Sequence, residues 1–165
     1  SAPSLPGFDV RRFPAEFAAD WQSWADRGVA SHTSRFAFET GGWIPAEEKQ
    51  LAEAGVSEHY TFTTRAQNPF YEFAVYPDRD LACTNMDYTR TLSYTQAGVL
   101  MHQPSGRLTW GKDVPPGDYL QIAYVGLVQV CFQIQPKVGS ITEIDTGLWE
   151  TAGTGILPGG SGPQA

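Results

Sequence analysis

Between Gly117 and Lys137 the chain reads GDYLQIAYVGLVQVCFQIQPK, and apolar residues alternate there with amides. Leu120, Ile122, Tyr124, Val128, Val130, Phe132 and Ile134 take even positions, and Gln121, Gln129, Gln133 and Gln135 take odd ones. A period of two belongs to a strand with one dry face and one polar face. No helix can keep such a pattern on one side. The stretch predicts a long strand through the middle of a sheet. Gly126 interrupts the series and predicts a bulge or bend. An ordinary half-exposed sheet already explains the uncharged amide row, which also suits a subunit contact.

The remaining pattern is mostly strand as well. SRFAFET (34–40), HYTFTTRA (59–66), FYEFAVYP (70–77), TRTLSYTQ, GVLMHQ, RLTWGK and SITEIDTGLW are strand candidates, with a hairpin signal at PSG between GVLMHQ and RLTWGK. Two helices precede most of them. In the first, Pro14 stands at the first turn and Gly28 just past the end, and Phe13, Phe17, Trp21 and Trp24 share one face. In the second, Pro45 starts the helix, Glu47 and Glu48 suit its N-terminal dipole, and Gly55 stops it. The expected fold is mainly β, an antiparallel β-sandwich or jelly roll with two short helices near the N-terminus, the alternative being α+β. The expected organisation is an extended arm over 1–12, one β-rich domain over 13–150 and a Gly/Pro-rich tail over 151–165.

Length and charge narrow the function classes. A chain of 165 residues suits one domain. Its formal charge of -7 disfavours nucleic acid and anionic lipid as partners. No apolar run is long enough to span a bilayer. Cys83 and Cys131 could form one disulfide, but the position of Cys131 inside the apolar strand predicts a buried free thiol.

Local catalytic and metal motifs are missing from the sequence. His32, His59 and His102 have no partner at metal-ligand spacing. Asp78, Asp80 and Asp87 lack the rest of a calcium loop, so PDRDLACTNMD reads as holding a charged turn after Pro77. Ser161 sits in a tail with no preceding strand, and Glu47–Glu48 reads as an exposed helix start. The reading is therefore a non-enzymatic module with no cofactor. ETGGWIP and DTGLWET form a near-repeat in which Gly41 and Gly147 precede Trp43 and Trp149 by two positions. Turn glycines before packing tryptophans account for it. The same glycine–any–tryptophan spacing resembles the start of lipocalin barrels, but a helix precedes the first copy here.

DVPPGDYLQIAYVGLVQVCFQIQPK resembles a late strand of icosahedral RNA-virus coat proteins, where a Pro–Gly turn leads into alternating aliphatics. With the strand count and the Pro/Gly tails, the chain looks like the protruding surface domain of a small non-enveloped RNA-virus capsid protein, nodavirus-like or bee-virus-like. That resemblance implies self-association as a homo-oligomer on a particle, attachment to a host receptor or glycan, and a place on the virion surface. It carries no binding residue over. Turn chemistry instead nominates contact loops around Asp78, Arg79 and Asp80, around His102 and Gln103, and around Lys112 and Asp113. The alternative is a secreted carbohydrate- or ligand-binding sandwich in which Trp43, Trp110 or Trp149 stacks on sugar rings. A trimeric signalling jelly roll and a hydrolase assembled only by folding complete the set.

Overall fold

The computed structural model describes residues 13–31, 41–67, 70–94, 100–102, 114–135, 137, 140–157 and 163–164. Two helices, α1 (Phe13–Arg27) and α2 (Trp43–Glu53), come first. Eight strands follow: β1 (Val56–Thr64), β2 (Phe70–Val75), β3 (Asp80–Tyr94), β4 (Leu100–His102), β5 (Gly117–Tyr119), β6 (Gln121–Gln135), β7 (Ser140–Ile156) and β8 (Pro163–Gln164). The chain is mainly β and antiparallel, with its two helices near the N-terminus, as the hydrophobic pattern requires.

One six-stranded sheet dominates, with the order β1-β3-β6-β7-β8. β1 pairs with the far half of β3 and β2 with the near half, so the two lie end to end along one edge of β3. β3, β6 and β7 hold 15, 15 and 17 residues, and each spans about 50 Å at strand rise. β4 and β5 make a separate two-stranded sheet.

The period-two reading of β6 holds from Ile122 onward. Ile122, Tyr124, Val128, Val130, Phe132 and Ile134 are buried, and the four glutamines are half-buried on the other face. Leu120 departs from the series: it is the joint between β5 and β6, and it is exposed. The irregularity at Gly126 is real but lies in the partner strand. Register slips between Val125 and Gly126, leaving Thr151 of β7 as the extra residue, and slips again between Cys131 and Phe132.

Helix α1 covers the dry face at one end. Phe17, Trp21 and Trp24 point inward at spacings of four and three, and they pack against Tyr60, Phe62, Met86, Val130 and Phe132. Edge-to-face contacts join Phe17 to Phe132 at 5.2 Å and Trp21 to Phe62 at 5.2 Å. Each such side chain, fully buried, stabilises the fold by ~1.5–3 kcal/mol. Gly28 closes α1 at φ 68, the left-handed conformation that glycine adopts without strain. A second cluster occupies the other end of the same face, where Val114 and Tyr119 of the β5 region pack on Ile122 and Tyr124.

The structure corrects three sequence expectations. Cys83 and Cys131 are not free thiols but form a disulfide, because they stand directly opposite each other on β3 and β6. Both take the parity of the glutamine face, where Cys83 is buried and Cys131 half-buried. The segment Asp80–Asp87 is not a charged turn but the first half of β3, and Asp80 itself is buried. The boundary expected at residue 150 falls inside β7, which continues to Ile156. The expected arm (1–12) and the strands at 34–40 and 107–112 lie outside the described residues.

Candidate functional site

Between the two apolar clusters, the dry face of the sheet carries charge. Glu58 and Tyr60 alternate on β1, and Tyr88 and Arg90 alternate on β3; all four sit at the inward parity of their strands. Arg90 is the joint. Its Nε donates to Glu58 Oε2 at 2.6 Å, one Nη donates to Glu47 Oε1 at 3.1 Å, and the other donates to Glu150 Oε1 at 3.3 Å. Those partners come from β1, α2 and β7, so one guanidinium ties three elements to β3. The Tyr60 hydroxyl donates to Glu47 Oε1 at 3.2 Å, and the Arg90 guanidinium stands 6.0 Å from the Tyr60 ring centroid.

Beside this cluster a cleft of about 490 Å³ opens between α2 and the β7 edge, lined by Trp43, Glu47, Tyr60, Tyr88, Leu148, Trp149 and Glu150. Trp43 and Glu47 are four apart on α2 and so share its face. The Trp43 and Tyr60 rings meet edge-on at 5.6 Å. Trp149 borders the cleft from β7, and its register opposite Leu127 turns its 39% exposed side chain to the glutamine face. Gly147 makes room for that indole. A Cβ at position 147 would lie 2.4 Å from Trp149 Cη2, closer than side chains tolerate. At the second copy of the near-repeat the glycine thus serves the ring of its tryptophan, on the glutamine face of β7.

Electrostatics mark Glu58. Its side chain is completely buried, and Oε1 is buried without a hydrogen-bond partner. Burial pushes its carboxyl up to about 7; the Arg90 charge and hydrogen bond oppose the shift, and Glu47, within hydrogen-bonding reach, adds to it. Burial likewise raises the Tyr60 hydroxyl, which stays a neutral donor to Glu47. Among the described residues, no group of three His, Cys, Asp or Glu side chains is arranged to hold a metal ion.

The contact loops nominated from the sequence do not converge here. Asp78 and Arg79 are exposed in the turn joining β2 to β3, where Tyr76 N–H donates to the Arg79 carbonyl and the Arg79 guanidinium lies 5.1 Å from the Tyr76 ring centroid. That turn is about 34 Å from Arg90 along β3, at ten residues of strand rise. Asp80 is buried in the strand and is no loop contact. His102 ends β4 opposite Gly117. Gln103, Lys112, Asp113 and Trp110 lie outside the described residues. Of the proposed stacking tryptophans, Trp43 and Trp149 both line the cleft.

The polar face of the sheet is the other open surface. Gln129 Nε2 donates to Tyr71 Oη at 2.8 Å and to Asn85 Oδ1 at 3.1 Å, bridging three strands. Two shallow grooves, of about 440 and 360 Å³, run beside Val125, Leu127 and Trp149. No helix of the described residues is long and apolar enough to cross a membrane. Comparison with protein-family models, curated proteins and solved structures finds no match to this chain.

Proposed function

We propose that this protein is a binding module whose ligand is a glycan held in the cleft between α2 and the β7 edge. The carrying observation is that Trp43, Tyr60 and Tyr88 meet Glu47 and Glu150 around one open cavity of about 490 Å³. Sugar rings offer a C–H face that stacks on aromatic rings, and hydroxyls that donate to carboxylates. The volume suits a disaccharide or trisaccharide better than a polymer groove. The aromatic rim supplies area, and the carboxylates, fixed by Arg90, supply orientation. Nothing in this reading requires covalent chemistry, so the module acts by recognition.

A setting outside the reducing cytosol accompanies this reading, because the Cys83–Cys131 disulfide persists in oxidising surroundings. Tryptophan fluorescence against a panel of short glycans tests the proposal. Quenching by at least one glycan, lost in Trp43→Ala, is the expected result. A flat response across the panel overturns it.

A second reading keeps the module on a viral particle as a capsid surface domain that self-associates and attaches to a host. It is favoured by the polar sheet face, where Tyr71, Val125 and Trp149 are exposed among uncharged amides. Such a surface suits a subunit contact better than a free charged face does. Sedimentation velocity over a hundredfold range of concentration tests it, and a monomer at every concentration overturns it.

A further inference from the structure

Away from both helices, the glutamine face of the sheet carries an organised surface of its own. Trp149 of β7, Leu127 of β6, Asp87 of β3 and Thr63 of β1 stand opposite one another in a single row across four strands. At about 4.8 Å per strand step, that row runs about 14 Å. Two grooves, of about 440 and 360 Å³, meet along it, for Leu127 and Arg65 border both. Gln129 and Asn85 stand opposite each other in the next row on one side. Val125, Thr89 and Thr61 form the next row on the other.

Trp149 is positioned by its own strand. A Cβ at position 147 would meet Cη2, Cζ2 and Cζ3 of the indole at 2.4, 2.7 and 3.0 Å, so the six-membered ring rests over Gly147. The ring is held from below and stays open above, which makes it a platform for stacking. Beside it, opposite Gly147, Gln129 uses both of its amide N–H groups: Nε2 donates to Tyr71 Oη at 2.8 Å and to Asn85 Oδ1 at 3.1 Å. Its Oε1 is left to accept from a guest. The Cys83–Cys131 disulfide lies one row further and clamps the same two strands, so the amides lose little freedom on binding.

Charge narrows the guest. Among the described residues lining the two grooves, only Arg65 and Asp87 are charged, and they pair with each other at 3.4 Å. A second copy of the chain would want a close-packed apolar centre. The centre of this face is instead amide and hydroxyl around one half-buried leucine. We propose that the glutamine face is a second carbohydrate surface, separate from the cleft, and that it takes a linear uncharged polysaccharide across β7, β6 and β3. One sugar ring stacks on Trp149, and its neighbours exchange hydrogen bonds with Gln129, Thr89 and Thr61. A groove that crosses the sheet suits the interior of a polymer, whereas the cleft on the dry side suits a short oligosaccharide.

Affinity electrophoresis tests this, in native gels containing hydroxyethylcellulose, galactomannan or dextran, with polygalacturonate as the charged control. The expected result is that at least one neutral polymer retards the protein more than polygalacturonate does. Trp149→Ala weakens that affinity at least about tenfold, and Gln129→Leu, at a residue that does not line the cleft, weakens it about fivefold. Both positions are partly exposed, and urea midpoints establish that each variant is folded. Retardation that survives both variants and is lost in Glu47→Gln belongs to the cleft; it overturns the inference while the cleft reading stands. Retardation by polygalacturonate as strong as by the neutral polymers overturns it, and so does no retardation by any polymer. Self-association in sedimentation that Trp149→Ala abolishes, without retardation, gives the face to a second copy and overturns it as well.

Discussion

Replacing Glu58 by Gln isolates one titration and predicts a pH-dependent stability difference. The carboxyl is raised from 4.5 to about 7 in the folded protein, first by burial and then by Glu47, against the pull of Arg90. A carboxyl raised on folding binds its proton more tightly in the native state than in the unfolded one. Its stabilising contribution is therefore full below pH 4.5, declines as pH rises, and is gone above about 7. The whole gap corresponds to about 3 kcal/mol, and most of it falls between roughly pH 5 and pH 8. Solvent screening removes little of this, because the Glu58 side chain is completely buried. In Glu58→Gln the titration disappears, and the difference between a neutral carboxyl and an amide at that position adds an offset that does not vary over this range. Urea unfolding of both proteins from pH 5 to 8 reads the effect. With a slope of roughly 2 kcal/mol per molar urea, the wild-type midpoint falls by about 1 M relative to the variant. Parallel curves across the range would refute the reasoning, for they would mean that Glu58 titrates normally and is hydrated in the folded state.

The other perturbations test separate joints. Arg90→Met leaves Glu47, Glu58 and Glu150 without their cation and should cost about 3–5 kcal/mol at neutral pH, with partial recovery in acid as the carboxyls protonate; urea midpoints at two pH values check both. Reducing Cys83–Cys131 opens a loop across a sequence separation of 48, which in the loop-entropy account removes about 4 kcal/mol. For a chain of this size that lowers Tm by about 10 °C, and calorimetry with and without reductant reads it. Gly147→Ala places a methyl against the Trp149 indole and should displace the ring, at a cost of ~1–3 kcal/mol; urea unfolding reads the cost, and a red-shifted tryptophan emission accompanies it.

Much of the fold was legible because it rests on local periodicity. The alternation in β6 located both the buried row from Ile122 to Ile134 and the half-buried glutamines. The aromatic spacing of α1, and Gly28 at its end, were equally readable. Cys131 shows how the same rule was misapplied. It shares the odd parity of Gln129 and Gln133, so the period itself placed it on the polar face; the count of apolar neighbours suggested the core instead. Its pairing with Cys83 depends on the β3–β6 register, which no local pattern contains. Asp80 to Asp87 read as a turn because Asp and Asn dominate the letters, yet Ala82, Thr84, Met86 and Tyr88 form a buried alternating row. For the site, the two tryptophans were singled out, but Glu47 was taken for an exposed helix start. Glu58 and Arg90 had a readable signal that went unused: each is a charged residue at the apolar parity of a strand, and such a residue demands a partner from elsewhere.

A charged layer between two apolar clusters is a poor choice if stability alone is the aim, and that sets up the sharpest separation of scaffold from site. Desolvating Arg90 and three carboxylates costs several kcal/mol per ion, and well-packed apolar replacements for such groups are often neutral or stabilising. The surroundings could accept them. Phe62, Met86 and Val128 belong to one cluster, Ile122 and Tyr124 to the other, and both share the face on which Glu58 and Arg90 lie. The combined variant Glu47→Leu, Glu58→Leu, Arg90→Met and Glu150→Leu therefore should unfold at the wild-type urea midpoint or above it, within about 1 M, while the Arg90→Met single variant falls well below. The same combined variant should lose glycan quenching, because the carboxylates that orient the ligand are gone although Trp43 and Trp149 remain. Stability held with binding lost assigns the layer to recognition. If the apolar quartet is as unstable as the single variant, the layer is a structural clasp that the fold requires, and the case for the cleft then rests on its aromatic rim alone.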